Sequence, residues 1–148
     1  MKDGREPVEP SEIIYRRVFA GEGGHYFPGQ TPPIASAAFN PSPEDLDGIS
    51  VTRAAYGLDP ASIGAMGFRG KRYIVIGIRA SDLNSNGMSI RPDPDAEGGN
   101  VGHAIIPEIN YRDLQDKTKK REVKRLKECA KNLNLVSIDG PFDGRQPP

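Results

Sequence analysis

The chain has 148 residues, a length that fits one domain with a core of its own. Twenty Lys and Arg balance twenty Asp and Glu, so net charge alone points to neither a nucleic-acid nor a membrane partner. One cysteine, Cys129, excludes an internal disulfide and a Cys-based metal site, no apolar run reaches the roughly 18–20 residues of a membrane span, and MKDGREPVEPSE lacks the apolar stretch of a signal peptide, so a soluble cytoplasmic protein is expected.

In chain order, residues 1–11 are charged, carry Pro7 and Pro10, and read as a flexible arm. Ile13–Phe19 is rich in β-branched and aromatic residues and reads as a strand. Its neighbours Arg16 and Arg17 point to opposite faces, and whichever faces inward needs a partner. Residues 20–33 form a long Gly- and Pro-rich loop holding His25, Tyr26 and Phe27, the kind of loop that is often functional. Ile34–Phe39 is a short apolar run, strand or close-packed segment, and residues 40–48 are turn-rich. Ile49–Arg53 alternates as a strand, with Ile49, Val51 and Arg53 on one side and Ser50 and Thr52 on the other.

Asp59 is a good N-cap with Pro60 at the first helical position, so a short helix is expected to Met66, weakened by about 1 kcal/mol at Gly64. Arg72–Arg79, with a continuous apolar middle, is expected to be a central strand buried on both faces. Strands at Met88–Ile90 and Gly102–Ile106 flank a loop dense in acid, Pro and Gly. A helix is expected from Asp113 or Asp116 to about Leu133, its apolar stripe made by Val123, Leu126, Cys129 or Ala130, and Leu133, with Asn132 and Asn134 placed to end it. Leu135–Ile138 is a last edge strand and residues 139–148 a disordered tail. Residues 12–138 thus read as a single α+β domain: a mostly antiparallel sheet of about five to six strands, one short helix and one long C-terminal amphipathic helix.

Candidate chemistry gathers near the second half of the sheet. His103 stands where a polar loop meets a strand, beside Gly102, which has no side chain to crowd a ligand; it suits a general base or a hydrogen-bond donor, or else satisfies a bond at the sheet edge. Glu108 has the opposite strand parity and joins it only if Pro107 kinks the chain. Asp82, Asn84, Asn86 and Asp93 match the oxygen-ligand spacing of a calcium loop, but without its helical frame or final Glu, and the same residues make ordinary tight turns. The acidic loop of Asp93, Asp95 and Glu97 either faces solvent or ligates a metal with His103. Residues 117–131 hold eight Lys or Arg and two Glu, a face that either binds phosphates through Lys119, Lys120, Lys124 and Lys127 or solubilises the helix; no aromatic residue is interleaved for base stacking. Cys129, on the apolar stripe, reads as a small hydrophobe. No phosphate-cradling Gly motif and no Ser nucleophile elbow is present, and no cofactor is expected.

The blocks IIYRRVF, IASAAFN, DGISVTRA and GHAIIPEI, in that order across residues 13–135, resemble a family of small uncharacterised bacterial proteins that brings no activity with it. A second resemblance is to ADP-ribosyltransferases: Arg16 or Arg17, Ser50 in ISVT and Glu108 occur in the order of that family's Arg, Ser/Thr and Glu, although Ile106 stands where the partner two residues before the Glu belongs. The sparse acids and bases favour a non-catalytic interaction module of a bacterial multi-protein system, meeting a protein partner through loops 20–33 and 91–103. The alternative is an enzyme acting on a nucleotide or NAD-like ligand, with Arg16, Arg17, Ser50, His103 and Glu108 in one cleft. The second alternative is nucleic-acid binding by the basic helix.

Overall fold

The computed structural model describes residues 3–95 and 99–145. Among them six strands, β1 (Ile13–Phe19), β2 (Ile49–Arg53), β3 (Arg72–Arg79), β4 (Arg91–Pro92), β5 (His103–Ile106) and β6 (Leu135–Asp143), form one sheet in the order β4-β5-β2-β1-β3-β6. Every pairing is antiparallel, and four short helices complete the α+β fold of the described residues: α1 (Pro60–Ala65), α2 (Ala80–Ser85), α3 (Tyr111–Leu114) and α4 (Lys120–Lys131).

Strand alternation and register divide the sheet into two unlike faces. One carries Ile14, Val18, Ile49, Val51, Ile74, Ile76, Ile78, Ala104 and Ile106. Against it pack Val123, Leu126 and Ala130 of α4 together with Phe39, Leu83, Met88 and Ile109. Burying each Ile or Leu here contributes about 1.5–3 kcal/mol, so this face holds the fold together. The other face presents Tyr15, Arg17 and Phe19 of β1, Ser50 and Thr52 of β2 and His103 of β5. Toward β3 and β6 it is covered by α1, which lies so close that a Cβ on Gly64 would stand 2.6 Å from the Phe142 ring, and at Thr52 it is covered by Asn100. Gly64 weakens the helix because the sheet requires the approach.

The ladder between β1 and β2 stops early. Only Ile14 with Arg53 and Tyr15 with Thr52 pair; beyond them the strands part, whereas β1 and β3 pair over seven residues. Beside the fork lies the 3-10 turn Ser36–Phe39, where a strand or close-packed segment was expected from Ile34 to Phe39, and Arg16 of β1 donates to its Ala38 carbonyl.

Several expected elements differ. The calcium-like stretch 82–86 belongs to α2 and its cap, since Ala80 and Leu83 bury together one turn apart and Gly87, at φ +81°, closes the helix with Gly87 N–H donating to Asn84 and Met88 N–H to Leu83. The strand expected at Met88–Ile90 is displaced to the two residues of β4. The helix expected from 113 or 116 to 133 is two pieces, because the Asp116 side chain takes the N–H and hydroxyl of Thr118 and offers the backbone an alternative to the helical ladder. The tail expected from 139 continues as β6 to Asp143, paired with β3 as far as Arg72. Residues 3–12 are tied down rather than loose: Arg53, 2% exposed, donates to Gly4, Glu6 and Pro7 carbonyls and to both oxygens of Glu12.

Candidate functional site

The open face of the sheet, bounded by α1, the 20–33 loop and the chain around Asp95 and Asn100, holds a cavity of about 450 Å³. Its lining includes Arg16, Arg17, Ser50 and His103, so four of the five residues named as catalytic candidates share one site. Glu108 does not join them: its carboxylate accepts from the N–H and hydroxyl of Ser89 at 2.8 and 2.7 Å, which holds the chain entering β4.

Arg16 shares its face with Ile14 and Val18, and its guanidinium turns into the fork between β1 and β2. It donates to the Ala38 carbonyl at 2.9 Å and the Ser50 carbonyl at 2.7 Å, and stacks 5.8 Å from the Phe39 ring centre. Arg16 therefore replaces the hydrogen bonds that the parted strands cannot make. Arg17, on the open face, donates to the Ile63 carbonyl at 3.3 Å and lies 5.7 Å from the Tyr73 ring centre. Neither guanidinium has an ion pair among the described residues; both are held by carbonyl dipoles and π-faces. Burial lowers the affinity of each for its proton, that of Arg16 to about 10 with Asp45 partly opposing the shift. Glu44, Asp45 and Asp95 stand in the lining as well, so positive charge near the sheet meets acids around it.

His103 is fixed from both sides. Its Nδ1 lies 2.8 Å from the Asp93 carbonyl oxygen, which can only accept; Nδ1 therefore carries the ring proton. That leaves the lone pair on Nε2 facing the Ser50 hydroxyl at 3.1 Å. The Asp93 carboxylate stands 3.4 Å from Nδ1 on the far side of the ring. Backbone bonds repeat the attachment: the Asp93 N–H donates to the His103 carbonyl and the His103 N–H to Asn100. Ser50 is exposed and reaches His103 across the diagonal of the β2–β5 ladder, one step from the directly opposed pair Thr52–His103. Gly102 serves a purpose other than ligand access, since a Cβ there would stand 3.0 Å from both the Arg53 carbonyl and the Tyr56 Cβ.

Asn100, 5% exposed, lines the cavity and gives its amide N–H to Thr52 at 3.4 Å, while its Oδ1 has no hydrogen-bond partner among the described residues. Sequence reasoning passed over Asn100, Tyr15 and Asn40, which lie in turns or on the less regular face and carry no motif; His25 was noted only as part of a loop. Asp93 was singled out only as a metal-ligand candidate, in the calcium-like spacing and the acidic loop, and not as a partner that orients His103.

The weaker candidates lie elsewhere. Asp82 and Asn86 share one face of α2 and its cap, where the Asn86 amide donates to the Asp82 carbonyl at 2.8 Å, Asn84 lies on another face, Asp93 attends His103, and no cluster of three His, Cys, Asp or Glu able to hold a metal occurs among the described residues. Ala96, Glu97 and Gly98 of the acidic loop lie outside the described residues. Lys119, Lys120 and Lys124 are exposed, but Lys119 is 3.7 Å from Asp113 and Lys127 donates to Asn40. Arg125 and Lys131 pair with Glu122 and Glu128 along the same helix. Cys129 is half-buried beside a second cavity of about 430 Å³, near Arg125 and Glu128. No helix among the described residues is long and apolar enough to cross a membrane. Compared with protein-family models, with curated proteins and with solved structures, the chain matches none.

Proposed function

We propose that this chain binds a small anionic ligand of the nucleotide type on the open face of its sheet and acts on it there. The observation that carries this reading is the pair Arg16 and Arg17: two guanidiniums in one cavity, partly desolvated, held by neutral groups and paired with no carboxylate among the described residues. Guanidinium forks bind phosphate and carboxylate bidentately, and a desolvated cation gains more from an anion than a solvated one. Ser50 and His103 stand in the same lining as the polar groups that would work on the bound molecule. Of the order Arg, Ser, Glu that resembles ADP-ribosyltransferases, the Arg and Ser members support the reading and Glu108 does not.

Titration calorimetry with ADP checks it. Arg17→Gln is expected to weaken binding roughly tenfold or more, since one charge-assisted hydrogen bond is worth about 1.5–3 kcal/mol. No heat of binding to ADP or to inorganic pyrophosphate, or equal affinity in the variant, would sink the reading.

A second reading, a non-catalytic module with a protein partner, draws on the apolar side chains beside the same cavity. Met66 and Phe68, 41% and 66% exposed, line it, and Phe27 of the 20–33 loop is exposed as well. Exposed apolar side chains grouped around a polar cleft suit a contact surface. A pull-down from bacterial lysate that retains no partner, repeated with Phe68→Ser as control, counts against it.

A further inference from the structure

We infer that Ser50 is a nucleophile activated by His103 and oriented through Asp93, and that the cavity cleaves a carboxylic ester whose substituent carries a negative charge. This rests on the anion-binding reading for its choice of substrate, though not for the reactivity of Ser50.

A serine attacks only if a base takes its proton, the base must offer a lone pair to the hydroxyl, and a third group must hold the base in that tautomer. All three conditions meet here. The Asp93 carbonyl fixes the proton on Nδ1, Nε2 accepts from Ser50 Oγ at 3.1 Å, and the Asp93 carboxylate at 3.4 Å faces the edge of the ring where positive charge develops. Asp93 is not among the cavity-lining residues, so it stands behind the imidazole while Ser50 and His103 face the ligand. A cross-strand Ser–His pair made only to satisfy polar groups needs neither the carboxylate behind the ring nor an exposed hydroxyl, and this one has both. Positive charge for the developing oxyanion is available in the same cavity, whose lining holds Arg16 and Arg17 with Ser50.

The reaction balances with water as the second substrate. Ser50 Oγ bonds to the ester carbonyl carbon as its proton passes to His103 Nε2, and the carbonyl π pair moves to oxygen. The tetrahedral species collapses, the carbon–alkoxy bond breaks, and the leaving alcohol takes the proton from Nε2. Water then attacks the acyl-serine, giving one proton to Nε2. Oγ recovers that proton as the carboxylic acid departs.

The test uses the full chain and a fluorophosphonate probe, whose phosphorus accepts an activated serine oxygen as fluoride leaves, with peptide mass spectrometry to place the adduct. The adduct is expected on Ser50 and lost in Ser50→Ala. His103→Gln should slow labelling by roughly 100-fold or more, the usual contribution of a general base. Asp93→Asn, which keeps the backbone carbonyl bond and changes an exposed side chain, should slow it at least roughly tenfold. Hydrolysis of mono-p-nitrophenyl succinate should exceed that of p-nitrophenyl acetate, with Arg17→Gln removing the difference. No adduct on Ser50, or labelling at an unchanged rate in Asp93→Asn, overturns the proposal. The two readings separate cleanly: Ser50 unlabelled while Arg17→Gln still weakens ADP binding defeats the nucleophile alone, and Ser50 labelled with no charge preference defeats the anion site alone.

Discussion

Arg16 and Arg53 both point inward from neighbouring strands, yet they are neutralised in different ways. Arg53 directs its donors to the chain itself, with both carboxylate oxygens of Glu12 among the acceptors. Glu12→Gln leaves a buried guanidinium without its counter-charge and is expected to cost about 3 kcal/mol, read as a lower urea midpoint at unchanged slope. Arg16 is hydrogen-bonded to carbonyls and stacked on a ring face, with Asp45 near it but not in an ion pair, so its charge is less fully met than that of Arg53. Beside Arg53, Glu6 accepts a short hydrogen bond from the Tyr56 hydroxyl, which with nearby N–H donors lowers its carboxyl from 4.5 to about 2. A folded-state value below the unfolded one stabilises above pH 4.5, and the gain is lost as pH falls from there toward 2. Tyr56→Phe should flatten the fall of melting temperature across that window; an unchanged slope would rule this bond out as its source.

Among the elements, α1 tests whether propensity or packing governs. Gly64→Ala gains about 1 kcal/mol of helix propensity, but the new methyl meets Phe142 at 2.6 Å. Overpacking of about 1–3 kcal/mol should win, so the variant melts lower; Gly64→Ala with Phe142→Leu should recover part of the loss. The elements also show which parts of the fold were legible. The spans of β1, β2 and β3 were readable from alternation and β-branched runs because those strands lie in the middle of the sheet, where local pattern and burial agree. Asn86-Gly87 looked like a hairpin because a helix C-cap and a tight turn demand the same left-handed glycine. Residues 139–143 looked like tail because Asp, Gly and Pro carry no strand signal; β3 supplies the pairing that holds them. Of the site, His103 was visible at a loop–strand junction, the two arginines as neighbours inside a strand, and Ser50 through the ADP-ribosyltransferase resemblance. The role of Asp93 was not, since it depends on a backbone carbonyl.

At the scale of the whole molecule, the described C-terminal residues are structural. Gly144 donates to the Lys71 carbonyl and Phe142 packs beneath α1, so the start of β3 and the helix above it both depend on residues 139–145. Truncation after Ile138 should destabilise the fold by about 3 kcal/mol or more, as losing a packed Phe does, read as a lower thermal midpoint.

The parted ladder between β1 and β2 has a mechanical meaning. Two residue pairs join β4-β5-β2 to β1-β3-β6, so the sheet is in effect two three-stranded plates laced at one end. Amide exchange should divide along that lace: protons in the β1–β3 ladder outlast those of β2 that face the gap, and Arg16→Gln widens the difference. Arg16 and Arg17 belong to one plate and Ser50 and His103 to the other. The span between the cations and Ser50 is therefore set across the lace, and the Arg16 bond to the Ser50 carbonyl is a further tie between the two plates.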